Sequence, residues 1–182
     1  MKLRHLAAFA AAASFTALAF AQGGPTDAQI AGIVVAANQV DVDAGKLAKS
    51  RTKNKEVSQF AQQMITDHTA VNKQAGALAK KLGVKPEDSD TSKSLKAGAA
   101  DNIKNLKGLK GSAFDKAYVD HEVAYHQAVL DAIDKVLIPS AQNAELKGLI
   151  EKVRPAIAAH LDHAKMVVAD LEKGGANGGT KK

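Results

Sequence analysis

The chain has 182 residues, no cysteine and no tryptophan; 24% of its residues are charged, 4% are aromatic, and its formal net charge is +6. The absence of cysteine excludes disulfides, thiolate chemistry and lipid attachment through a cysteine at a cleavage site. The lysines are spread over the whole chain and aromatic residues are few. These features argue against a protein that binds nucleic acid.

The N-terminus has the pattern of a secretory signal peptide. Lys2 and Arg4 form a short basic start, residues 6–20 are apolar, and small residues precede Gln22. This apolar run is shorter than the roughly 20 residues that a membrane-spanning helix needs. We therefore expect residues 1–21 to be removed on export and the protein to be periplasmic or secreted. The rest should have no transmembrane segment and should form one domain over residues 22–172.

The first two predicted helices form a tight hairpin. Thr26 and Gln29 fit a capping box, and apolar residues then recur at spacings of three and four, which predicts helix A over 27–51. Asn54 is expected to cap helix B, predicted over 55–82, and Gly83 to end it. A polar linker over 83–93 leads to a weaker helix that Gly111 interrupts.

A second hairpin is predicted in the C-terminal half. Ser112 and Asp115 are expected to form the capping box of helix C, over 113–137. Pro139 and Ser140 predict a tight break, after which helix D runs over 141–172. Pro155 is expected either to kink helix D or to mark a fresh start, because proline lacks an amide donor. The Gly-rich tail over 173–182 is expected to be disordered.

Two tight hairpins joined by a connection of about 30 residues indicate an all-α protein. The fold predicted from this arrangement is a ferritin-like four-helix bundle with one long crossover containing an extra helix. An up-and-down bundle with an extra helix on its flank has the same elements, and the periodicity does not separate the two topologies.

Each of the four long predicted helices carries a titratable residue on its apolar face. Asp41 interrupts this face on helix A, His68 on helix B and His160 on helix D. On helix C, Glu122 and His126 lie one turn apart near the middle of the apolar face. In the crossover topology, a rise of about 1.5 Å per residue places all of these side chains about 14–21 Å from the same end of the bundle. We therefore expect them to meet in one buried layer.

Buried imidazoles and carboxylates need partners, because burying an unpaired charge costs several kcal/mol. Either mutual hydrogen bonds or a shared metal ion would satisfy them. Imidazole suits Cu, Zn, Ni and Fe, so an ion of this group is the candidate cofactor. Asp67 and His163 are second-tier candidates, Asp67 as an acceptor for a side chain on another helix. The candidate metal ligands are Asp41, His68, Glu122, His126 and His160.

Four segments carry a resemblance to a known family: "DVDAGKLA", "VSQFAQQMITDH", "FDKAYVDHEVAYH" and "RPAIAAHLDHA". In order and spacing they resemble the exported bacterial domain-of-unknown-function family 4142, whose members have a ferritin-like fold and are often labelled "predicted outer membrane protein". The resemblance covers about residues 26–170 and implies the same fold and export. It places Asp41 where the family tends to have Glu and matches His68, His126 and His160 to recurrent histidines. It implies no activity.

The pattern differs from that of ferritin-like di-iron sites, which use Glu-x-x-His pairs. Ile65, Val123 and Ile157 stand three residues before the three histidines. The sequence therefore disfavours a ferroxidase and favours a mononuclear Cu, Zn or Ni site, or no metal.

Two functions stay open on the sequence alone. The first is an exported metal-binding bundle that serves metal handling or stress defence in the cell envelope. The second is a module without metal that binds a cell-envelope component and whose polar layer sets the helix packing. An enzyme is less favoured, because no nucleophile is placed beside a base. The pattern predicts no particular oligomeric state.

Overall fold

The computed structural model describes residues 23–177, and within them the protein consists of helices and short connections without a β-strand. The all-α prediction is therefore confirmed for this part of the chain. The predicted signal peptide over 1–21 and residues 178–182 of the predicted tail lie outside the described residues. The helices are α1 (Asp27–Arg51), α2 (Lys55–Leu82), α3 (Asp90–Gly108), α4 (Gly111–Ala132) and α5 (Ala144–Asn177).

The ends of α1 and α2 follow from local hydrogen bonding, as predicted. Thr26 and Gln29 form the capping box of α1, in which each side chain bonds the backbone amide of the other residue. The Asn54 side chain accepts from two amides of the first turn of α2. Gly83 ends α2 in a left-handed conformation with φ of 65°, which glycine adopts without steric cost. Only residues 52–54 connect α1 to α2, so this hairpin is tight.

The connection between the two hairpins runs along the outside of α1. The amide of Glu87 donates to the carbonyl of Ala28 at 2.9 Å, near the start of α1. At the other end of α1, the Arg51 guanidinium donates to the carbonyls of Leu106 and Leu109 at 3.2 and 3.0 Å. Helix α3 packs against α1 between these two points. The long crossover with an extra helix is thus present, and α3 begins at Asp90, inside the predicted linker.

The predicted capping box of helix C is wrong. The N-cap of α4 is Lys110, with no side-chain hydrogen bond, and Asp115 is buried. The chain enters the helix two residues before the predicted start, because Gly111 takes a positive φ of 56° that other residues adopt only with strain.

The predicted break at Pro139 and Ser140 is also misplaced. Beyond α4 the backbone continues as a π-helical turn over Ile133–Leu137 and a short helical segment over Ile138–Ser140. Pro139 lies in that segment, and the chain stays helical through it to Ser140. The break comes just afterwards, where Asp27 accepts the amides of Gln142 and Asn143 at 2.9 Å.

Helix α5 is longer than predicted and is one continuous helix. It runs through Pro155, so the alternative of a fresh start at this proline is wrong. It also extends to Asn177, so residues 173–177 of the predicted disordered tail are helical. A glycine in a helix costs only about 1 kcal/mol relative to alanine, which a long helix tolerates.

Two apolar cores occupy the two ends of the bundle. The first contains Phe60 and Met64 of α2, Phe114 and Tyr118 of α4 and Val167 of α5, with Ala44 and Ala48 of α1. The second is built by Ile30 and Ile33 of α1, Leu130 of α4 and the residues Leu146, Ile150, Ile157 and Leu161 of α5. On α1 and α4, the predicted titratable residues lie between the segments that feed these two cores, and on α5 His160 lies between Ile157 and Leu161, at the end of the segment that feeds the second core.

Neighbouring helices pack as α1 on α2, α4 on α5, α2 on α5 and α1 on α4. The α1–α2 contact is close, because a Cβ atom on Gly45 would lie 3.0 Å from the carbonyl oxygen of Ala61. Within the described residues, no helix combines the length and the apolar composition that crossing a membrane requires.

Candidate metal centre

Three histidines from three helices face one another in the middle of the bundle. The ring centroids of His68 and His126 are 5.6 Å apart, those of His68 and His160 5.2 Å, and those of His126 and His160 5.5 Å. The side chains come from α2, α4 and α5, and each residue is at most 2% exposed. One ring nitrogen from each of the three lies within 4.8 Å of the other two. We call these three residues the histidine triangle.

The orientation of His68 is fixed by a buried amide on α1. Its Nδ1 lies 2.7 Å from Oδ1 of Asn38, and the Asn38 Nδ2 donates to the carbonyl of Val34 at 2.7 Å. Because the amide nitrogen is already used in that bond, the oxygen faces His68 and can only accept. The Nδ1 of His68 therefore carries the proton, and its Nε2 presents a lone pair.

The other two histidines are held in the same manner. Nδ1 of His126 donates to the backbone carbonyl of Glu122 at 2.9 Å. Nε2 of His160 donates to Oδ2 of Asp67, on α2, at 2.9 Å. Carbonyl and carboxylate oxygens accept hydrogen bonds only, so in the neutral form of each histidine the opposite ring nitrogen carries no proton.

The nitrogens left free are buried and have no hydrogen-bond partner. They are Nε2 of His68, Nε2 of His126 and Nδ1 of His160. Metal-binding histidines in proteins characteristically donate their second ring N–H to a carbonyl or carboxylate, which fixes the ring and its tautomer. The histidine triangle has this arrangement at all three residues.

Two buried carboxylates lie beside the triangle. Oδ2 of Asp41 is 3.5 Å from Nδ1 of His68, and Oε2 of Glu122 is 3.5 Å from Nδ1 of His126. Ligand atoms of Asp41, Glu122 and His126 also lie within 4.8 Å of one another. Asp41 Oδ1 and both carboxylate oxygens of Glu122 have no hydrogen-bond partner. The structure thus brings together all five predicted candidate ligands, as two groups that share His126.

Burial keeps His68 and His126 neutral. It lowers the pKa of His68 to about 2, with further lowering from the neighbouring His126 and His160. It also lowers the pKa of His126 to about 4. Neutral imidazole is the form that binds a metal ion, so these two residues are ready to act as ligands at neutral pH without first losing a proton.

Burial has the opposite effect on the two carboxyl groups, because it disfavours their charged form. It raises the pKa of Glu122 to about 8. The pKa of Asp41 is raised well above its ordinary range, first by burial and then by the neighbouring Glu122. Without a cation, the Asp41–Glu122 pair therefore holds protons at neutral pH.

The other two histidines among the described residues, His121 and His163, lie outside the triangle. Nδ1 of His163 is 2.9 Å from Oε1 of Gln63 on α2, and the His163 ring meets Phe60 edge-on. His121 stacks on Tyr125, whose hydroxyl donates to the carbonyl of Ala37 at 3.1 Å. Asp67, predicted as an acceptor from another helix, has that role for His160.

Sequence reasoning missed Asn38, which orients His68. The available signal was its position on α1, three residues before Asp41 and therefore one turn away on the same side of the helix. The wide buried face of α1, which packs against α2, α3 and α4, includes this neighbouring position.

The comparisons with known proteins concern the family only. A family model described as "Domain of unknown function (DUF4142)" matches residues 10–167. No curated protein and no solved structure matches the chain, so the ferritin-like label stays a prediction. Since the family match covers most of the chain, including α1 to α4, the protein belongs to the DUF4142 family.

Proposed function

We propose that this protein binds one transition-metal ion at the histidine triangle. The observation that carries the proposal is the set of three unprotonated, buried ring nitrogens without hydrogen-bond partners. A buried polar atom left unpaired costs about 1–3 kcal/mol, and one ion bound to all three nitrogens would remove that cost. Tetrahedral sites with metal–nitrogen distances of about 2.0–2.1 Å hold the nitrogens about 3.4 Å apart. Small movements of the three side chains bring them to that separation.

The ligand types favour Zn or Cu, with Ni and Fe as further candidates, because imidazole suits these ions. Asp41 and Glu122 supply negative charge next to the triangle. Two ionised carboxylates would balance the charge of a divalent ion in this dry site. The bound ion would then replace the protons that the pair holds in the metal-free protein.

Within this proposal the protein is exported and handles metal, or protects against metal stress, in the cell envelope. The basic start at Lys2 and Arg4 and the apolar run over 6–20 support export. Fractionation of cells that produce the full chain tests this part: we expect the protein in the periplasm or medium, and retention with cytoplasmic markers would contradict it.

Calorimetric titration of the metal-free protein with Zn²⁺, Cu²⁺ and Fe²⁺ tests the site itself. We expect one ion per chain, and a loss of affinity of more than about 100-fold in His68→Ala and in His160→Ala, since removing a ligand should cost at least as much as removing its supporting hydrogen bond. His163→Ala is the matched control, because His163 lies on α5 but outside the triangle. Unchanged affinity in both triangle variants would contradict the proposal.

The second candidate function is a metal-free module that binds an envelope component and whose polar layer sets the helix packing. The cross-helix bond between His160 and Asp67 favours it, since buried polar pairs can fix helix register. For this candidate, purified protein would contain no metal, and a chelator would leave the melting temperature unchanged.

A further inference from the structure

The histidine triangle is closed to solvent, which raises the question of how an ion reaches it. His126 is 1% exposed, and His68 and His160 are each 2% exposed. A hydrated cation cannot pass such a surface unless a side chain moves. The hydrogen-bond partners of the three histidines differ in how far they are exposed to solvent, and this exposure determines where an ion can enter.

Two of the three partners are themselves buried. Asn38, which holds His68, is 6% exposed, and the Glu122 carbonyl, which holds His126, lies inside α4 beside a side chain that is 1% exposed. The third partner is different. The side chain of Asp67, which holds His160, is 42% exposed. The hydrogen bond between Asp67 and His160 therefore leads from solvent to the triangle.

The interface between α2 and α5 is polar at this height. Gln63 and Asp67 lie one turn apart on α2, and their partners His163 and His160 lie one turn apart on α5. All of these side chains except His160 are partly exposed. On the side of the bundle where α1 meets α4, the buried Tyr125 bonds the carbonyl of Ala37. The polar, partly exposed interface between α2 and α5 should therefore open more easily than the buried contact between α1 and α4.

We propose that Asp67 is the access residue of the metal site: its exposed carboxylate captures a hydrated divalent cation and passes it to the triangle as His160 turns away from its bond with Asp67. This inference rests on the proposed metal-binding function. An exposed carboxylate attracts a cation by charge, and the captured cation competes with His160 for the same oxygen. Release of His160 frees its ring to rotate, which opens the path that the Asp67–His160 bond otherwise closes.

Stopped-flow measurements of Co²⁺ binding to the purified full chain test the proposal, with Co²⁺ as a spectroscopic probe. The variant is Asp67→Asn, which removes the charge but keeps an oxygen that can accept from His160. The matched control is Asp162→Asn, which makes the same charge change on α5 at a side chain that is 77% exposed. Asp162 follows His160 by two residues and therefore points to a different side of the helix.

We expect Asp67→Asn to lower the association and dissociation rate constants together by about tenfold at low ionic strength, the size of effect that local electrostatic steering produces. The equilibrium constant should change by less than about threefold, because a path speeds binding and release equally. Added salt should slow association in the natural protein more than in the variant. Asp162→Asn should leave both rate constants unchanged.

Other results would overturn the inference in distinguishable ways. Unchanged rates in Asp67→Asn would place the path elsewhere and leave the metal site intact. Faster dissociation with unchanged association would make Asp67 a positioning residue only. Equal slowing in Asp162→Asn would reduce the effect to general surface charge. An unchanged Co²⁺ affinity in His68→Ala would contradict the proposed metal site, and with it the proposed access path.

Discussion

Replacing His126 with leucine should make the metal-free protein more stable while abolishing tight metal binding. The side chain is 1% exposed, and its Nε2 is buried without a partner. Leaving that atom unpaired costs about 1–3 kcal/mol, whereas the bond from Nδ1 to the Glu122 carbonyl contributes only about 1 kcal/mol. Leucine has a similar volume and no polar atom. The expected net gain is about 1 kcal/mol in the free energy of unfolding.

Urea denaturation at pH 7.5 in the presence of a chelator measures this gain. At this pH the imidazole is neutral in both the folded and the unfolded chain, because burial lowers the pKa of His126 from 6.5 to about 4. Protonation therefore does not contribute to the comparison. His163→Leu is the control, since it makes the same replacement at a half-buried histidine whose bond to Gln63 lies outside the triangle. We expect no gain in this control.

Adding Zn²⁺ should reverse the order of stability. The natural protein is stabilised by the ion in proportion to the logarithm of the ratio of ligand concentration to the dissociation constant, whereas His126→Leu should respond weakly. A metal-free His126→Leu variant that is less stable than the natural protein by more than about 1 kcal/mol would show that the unpaired Nε2 does not cost more than the Nδ1 bond contributes. That loss would mean that the polar layer holds the bundle together, as the second candidate function requires.

Three further predictions follow from the same contacts. The metal-free protein should be most stable near pH 6.5, the ordinary pKa of histidine. Between about pH 4 and 6.5 the unfolded chain protonates His68 and His126, which stay neutral when folded, and these two protons outweigh the one that the folded protein keeps on Glu122, so stability falls as the pH falls. Above pH 6.5 the unfolded chain has lost the Glu122 proton that the folded protein keeps up to about pH 8, so stability falls as the pH rises. Denaturation midpoints should show a loss of about 1.4 kcal/mol per pH unit above pH 6.5 that Glu122→Gln reduces; a flat profile from pH 6.5 to 8 would contradict it. Asn38→Ala should weaken Zn²⁺ binding by about 10- to 100-fold in calorimetry, because Asn38 fixes the tautomer of His68, and equal affinity would show that His68 needs no such support. Gly45→Val should lower the free energy of unfolding by about 2 kcal/mol, because even a Cβ atom there lies 3.0 Å from the Ala61 carbonyl oxygen; an unchanged urea midpoint would mean that the α1–α2 contact can relax.

The long helices could be predicted because their ends are specified locally. Thr26, Asn54 and Gly83 act through hydrogen bonds and backbone conformations within one turn, and the apolar spacing between them is regular. The errors fell where another part of the chain determines the local structure. Asp27, for example, accepts the amides of Gln142 and Asn143 across the bundle, and no local pattern shows that the break comes there.

The residues of the candidate site could be predicted from the sequence, but the hydrogen bonds that orient them could not. His68, Glu122, His126 and His160 stood out because each interrupts an apolar face, and helical rise in the crossover topology placed them at one height. Which ring nitrogen is free depends on partners from other helices, such as Asn38 for His68 and Asp67 for His160. Those contacts depend on the rotation of each helix about its axis, which periodicity gives only to within about one residue's turn of 100°.

X-ray absorption spectroscopy of the Zn²⁺-loaded protein tests the metal site most directly. We expect a first coordination shell with three imidazole nitrogens at about 2.0–2.1 Å, and the loss of one imidazole in His160→Ala. A shell of oxygen atoms alone, or one unchanged by His160→Ala, would contradict the claim that the histidine triangle is a metal site.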